Sequence, residues 1–131
     1  MINIYTDGSV KDAKGGYAYI IVLHGMTITA KFHSNSKDIN HLELLAVVEA
    51  LEVIQDSKQI TVYTDSNYVI NCAKSKDFKF YYGRKKKARL RRKLTFLLER
   101  HQVTFITVHK AENNCLHRQA HYLAREATTY L

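Results

Sequence analysis

The chain opens on a β-branched and aromatic run, Ile2-Asn3-Ile4-Tyr5-Thr6, which fits a pleated, buried surface and reads as a strand running into Asp7-Gly8-Ser9. After a polar turn region over residues 10–16, residues 17–23 and 26–33 form two more strands joined by a hairpin turn at His24-Gly25. Residues 40–56 carry an apolar helical pattern with Asn40 as its N-cap. Ile60-Thr61-Val62-Tyr63 then repeats the opening figure and closes in the same way, on Thr64-Asp65-Ser66-Asn67, leading into a short helix over residues 66–74. Leu90, Leu94, Leu97 and Leu98 follow helical spacing up to about His101. Residues 103–108 form the last strand, and Leu116, Ala120, Leu123, Ala124, Ala127 and Leu131 make one stripe of a terminal helix. This order predicts an α/β fold: a mixed five-stranded sheet, three antiparallel strands and then parallel ones, flanked by helices.

Two apolar strands that each deliver an aspartate are the informative feature. If they are neighbours in one sheet, Asp7 and Asp65 share the edge at which open α/β sheets bind ligands, and they repel one another unless a cation lies between them. The acids of the first helix are not equivalent. Glu49, Glu52 and Asp56 cluster on a wet face, whereas Glu43 lies about 145° from their centre and points toward the apolar side, where it can join the two aspartates. Capping is the alternative for two of these acids. Glu43 could reach back to the Asn40 amide in a capping box, and Asp65 could accept an amide of the short helix behind it. His121 falls on the flank of the terminal stripe, about 110° from its centre.

Length admits one domain, residues 1–131. No long apolar run and no leader precede the first strand, so a cytosolic monomer is expected. Cys72 and Cys115 have neither Cys-x-x-Cys nor zinc-finger spacing and read as small hydrophobes. Composition changes the picture at one place. The net charge is +8, and residues 84–93 hold eight of the twenty lysines and arginines: Arg84, Lys85, Lys86, Lys87, Arg89, Arg91, Arg92 and Lys93. So dense a patch favours a polyanion, because each phosphate neutralised releases counterions; a solvated helix face is the plainer account. Phe78, Phe80, Tyr81 and Tyr82 just before it pack beneath the helix or stack on bases.

Tyr5-Thr6-Asp7-Gly8-Ser9, Gly15-Gly16-Tyr17, Asn40-His41-Leu42-Glu43-Leu44, Tyr63-Thr64-Asp65-Ser66 and Leu123-Ala124-Arg125 together resemble the ribonuclease HI family, nearly end to end. The resemblance implies a ribonuclease H-like fold and an endonuclease that cuts the RNA strand of RNA–DNA hybrids with two divalent ions, Mg²⁺ or Mn²⁺. By position it implies that Asp7, Glu43 and Asp65 are metal ligands, with Asp7 touching both ions. The fourth position departs from the family pattern. His121 stands where an aspartate is usual, and His117 where an asparagine is usual. Imidazole carries no charge when neutral and suits softer ions, which favours Mn²⁺. The family's mobile-loop histidine is replaced by Ala111, with His109 two residues away. The basic stretch would grip phosphates of the DNA strand, and Asn40 would contact the RNA side. The alternative is a binding module of the same fold with little or no catalysis.

Overall fold

The computed structural model describes residues 1–74, 85–109 and 114–129. Five strands, β1 (Ile2–Lys11), β2 (Lys14–Leu23), β3 (Met26–Ser34), β4 (Gln59–Thr64) and β5 (Gln102–Thr107), form one sheet in the order β3-β2-β1-β4-β5. The β1–β2 and β2–β3 pairs are antiparallel, and β1–β4 and β4–β5 are parallel. Helices α1 (Ile39–Val53), α2 (Asn67–Lys74), α3 (Lys85–Arg100) and α4 (Cys115–Ala127) flank it. This is the mixed sheet expected from the strand pattern. Among the described residues no helix is long and apolar enough to cross a membrane.

The first hairpin is longer than its sequence suggests. Only Asp12 and Ala13 form the turn, at φ 52° and 62°, a left-handed pair that matches the twist of the flanking strands. β1 and β2 therefore stay paired as far as Lys11 and Lys14, and Asp7 lies within a strand rather than at its end. The second turn, at His24-Gly25, is where the pattern placed it, with both residues at positive φ.

Period-two alternation divides the core. Ile2 and Ile4 of β1 join Leu44, Val47, Val48 and Leu51 of α1 on one face. Tyr5 faces the other way, onto Ile20 and Ala120 of α4. α1 is apolar nearly all round because it is central: it packs on β1 and β2 and also touches α2 and α3. Its N-cap is Asp38, whose carboxylate accepts from the Asn40 and His41 amides. Asn40 is thus an exposed residue inside the first turn and not the cap.

Candidate active site

The parallel ladder between β1 and β4 has its last paired residues at Tyr5 and Tyr63, whose rings stack with centroids 4.6 Å apart. Asp7 and Asp65 each lie two residues further on and continue that row, where the two strands are no longer paired. One carboxylate oxygen of each, with one ring nitrogen of His117, all lie within 4.8 Å of one another. Asp7 is 2% exposed, and Asp65 is half-buried.

Glu43 reaches the same place from the opposite face. The route is open because β1 has a glycine there: a Cβ on Gly8 would sit 3.0 Å from the Glu43 nitrogen and 3.0 Å from the Leu42 Cβ. The Glu43 carboxyl is buried, at 6% exposure. Burial, then the charges of Asp7 and Asp65 and a hydrogen bond with Asp7, hold it well above the usual carboxylate range, against one amide bond from Gly8. The Asp65 carboxyl is also pushed up, by burial and then by Asp7, while His117 and His121 pull it partly back. Glu43 Oε2 has no hydrogen-bond partner among the described residues. An orphaned buried polar atom costs about 1–3 kcal/mol, and a divalent cation would relieve both it and the mutual repulsion. The donor set is hard oxygen plus imidazole, which fits such an ion.

α4 supplies the imidazoles. Asn114 caps it by accepting from the His117 amide at 2.9 Å. His117 and His121, one turn apart, share the helix flank that looks onto the aspartates. His121 Nδ1 lies 2.7 Å from Asp7 Oδ2, with the His121 side chain 46% exposed. His117 is buried at 8% exposure, and its Nε2 has no partner among the described residues. The sequence reading named the acids and His121 but gave His117 no part. The missed signal was the i, i+4 spacing of the two histidines, a metal-ligand spacing on one helix face. β2 fixes the far end of this helix by close backbone approach: a Cβ on Gly16 would meet the Ala124 carbonyl at 2.4 Å.

The basic stretch is only partly on view. Arg84 and the side chains of Lys85, Lys86 and Lys87 lie outside the described residues, as do Phe78, Phe80, Tyr81, Tyr82 and Ala111. Arg89, Arg92 and Lys93 are exposed on α3. Arg91 instead turns inward, 5% exposed, and its Nη2 donates to the Tyr68 hydroxyl at 2.6 Å. That takes it off the solvent face expected of it: it ties α3 to α2. His109 is exposed beyond β5.

Residues 1–129 match the family model for RNase H. The chain belongs to the RNase H family. A ribonuclease H of Prosthecochloris aestuarii is 30% identical to it over 137 residues, covering 96% of this chain and 94% of that one. A ribonuclease H of Clostridium botulinum is 31% identical over 140 residues, with 95% and 93% covered. Among solved structures, the N-terminal RNase H domain of rv2228c from Mycobacterium tuberculosis superposes with TM-score 0.77 at 18% identity, over 97% of this chain and 92% of that one. LC11-RNase H1, solved in complex with an RNA/DNA hybrid, gives TM-score 0.73 at 20% identity, over 98% and 96%. The RNase H fold is thus common to this chain and these structures.

Proposed function

We propose that this chain is a metal-dependent, sequence-nonspecific endonuclease that hydrolyses the RNA strand of RNA–DNA hybrids. The observation that carries the reading is the meeting of Asp7 and Asp65 within 4.8 Å, coupled to the buried, electrostatically strained Glu43. The full-length likeness to curated ribonucleases H supports it, as does a structural relative solved with a hybrid bound. Asp7, Glu43 and Asp65 hold two divalent ions, and His121 takes the fourth position beside Asp7. When bound, such ions activate a water and stabilise the departing 3′ oxygen. The protein's part is to preset the ligands. Glu43 enters over Gly8, Asp7 and Asp65 are fixed by the strand register, and His121 orients Asp7 through its hydrogen bond. No protein nucleophile is required.

Arg84, Lys85, Lys86, Lys87, Arg89, Arg92 and Lys93 hold phosphates of the DNA strand, adding affinity without reading sequence. Arg91 serves that surface indirectly, by anchoring its helix to Tyr68. Asn40, exposed one turn before Glu43, contacts the RNA strand.

Replacing two aspartates' usual companion carboxylate by an imidazole makes Mn²⁺ the better cofactor. His121→Asp is therefore expected to raise Mg²⁺-supported cleavage toward the Mn²⁺ level, read from cleavage rates across a titration of each metal. Digesting hybrid, duplex RNA and duplex DNA side by side tests the substrate class. Cutting confined to the RNA of the hybrid is the expected result. Hybrid binding with no cleavage in either metal would make the chain a binding module.

A further inference from the structure

We infer that His117 is a nitrogen ligand of the cation held by Asp7 and Asp65, and that it biases the site toward Mn²⁺ and Zn²⁺, which accept imidazole more readily, over Mg²⁺. The inference rests on the metal site of the proposed function and adds a residue that neither the acids nor the fourth position account for. Two independent observations carry it. A ring nitrogen of His117 lies within 4.8 Å of a carboxylate oxygen of both Asp7 and Asp65, close to the span of atoms that share one ion once they close around it. The ring is also 8% exposed with Nε2 lacking any hydrogen-bond partner among the described residues, and buried imidazole nitrogens are normally satisfied.

Position explains how the ring is held there. The Asn114 carboxamide caps α4 through the His117 amide, so the residue sits in the first turn with its backbone fixed. His121, one turn later, is engaged by Asp7 through Nδ1. His121 thus meets the cluster through Asp7, and His117 faces both aspartates as a further nitrogen ligand. An oxygen-only site suits Mg²⁺, which keeps its waters and demands oxygen donors, whereas one imidazole raises affinity for ions later in the divalent series.

Pulsed electron paramagnetic resonance of Mn²⁺ bound to the full chain decides the matter, because an imidazole ligand modulates the echo through its ¹⁴N nucleus. The wild type and His121→Asn should show the modulation; combined with His121→Asn, His117→Asn and His117→Gln should lose it, and each alone should bind Mn²⁺ about tenfold more weakly, with little change for Mg²⁺. Modulation absent from the wild type, lost in His121→Asn, or retained in both double variants would overturn the assignment. If circular dichroism shows both His117 variants unfolded, the ring ¹⁵N resonances of His117 in the wild type answer instead. A large shift on adding Zn²⁺ is expected, and no shift overturns the proposal. Cleavage of hybrid by the wild type, measured in parallel, separates the two readings. Cleavage without the nitrogen signal removes His117 and keeps the nuclease; the nitrogen signal without cleavage does the reverse.

Discussion

At the scale of single residues, the site stores repulsion that the fold must bear. Glu43 is buried beside Asp7 and Asp65, and its carboxyl is held well above the usual range. Removing one charge should therefore help the metal-free fold while ending catalysis, the usual conflict between stability and activity. Asp65→Asn is expected to raise metal-free stability by about 1 kcal/mol, roughly 3–6 °C in Tm for a domain of this size, as read by calorimetry in EDTA. The pH dependence has a definite sign. A carboxyl whose folded value lies above its unfolded one stabilises the fold while protonated, and that contribution is lost as pH rises through the folded value. Metal-free stability should thus fall as pH rises from the ordinary carboxylate range through the raised value of Glu43. The Tm gain on adding Mn²⁺ should be large at neutral pH and shrink on acidification. The convergence of Asp7, Asp65 and Glu43 was legible, because apolar strand patterns that run into acids and a glutamate on an apolar helix face are anomalies of pattern. Arg91 and Glu49 were not. Charge alone put both on wet faces, but burial turns Arg91 onto Tyr68, and Glu49 accepts a hydrogen bond from the Tyr17 hydroxyl.

Elements carry the geometry. α1 brings Glu43 in, α4 brings His117 and His121, and both helices lie against β1 and β2. Gly16 is where β2 admits the end of α4, with the Ala124 carbonyl 2.4 Å and the Thr128 nitrogen 2.8 Å from where a Cβ would stand. Gly16→Ala should destabilise the protein by about 1–3 kcal/mol through overpacking and lower cleavage beyond what stability explains, because the histidine helix is displaced. Denaturant unfolding and cleavage rates below the melting transition would check this. Sequence periodicity gave the order and type of these elements, since apolar spacing is set by burial. It misjudged their ends. Asp38 and Asn40 are both good caps, and only the backbone decides that Asp38 is used. Residues 10–16 look like a loop, yet Asp12 and Ala13 alone turn the chain.

For the whole molecule, charge is the organising asymmetry. The net charge of +8 is concentrated in one stretch at the start of α3, and the acid-lined site lies at the edge beyond Tyr5 and Tyr63. Binding of hybrid should weaken steeply with salt. Replacing Arg89, Arg92 and Lys93 by Gln should lower affinity similarly for all hybrid sequences and reduce the salt slope by up to about 3, as measured by fluorescence anisotropy. Cleavage of saturating hybrid by that variant should stay near wild type, since the three residues hold substrate and stand outside the acidic cluster.

The convergence of Asp7, Glu43 and Asp65 on divalent cations is tested most directly by single-turnover cleavage of an end-labelled RNA–DNA hybrid in Mn²⁺ and in EDTA, with wild type and Asp7→Asn. Cutting of the RNA strand by the wild type in Mn²⁺ alone, with loss of at least about 10³ in rate for Asp7→Asn, is the predicted result. Cleavage that persists in EDTA or in Asp7→Asn at the wild-type rate would contradict it.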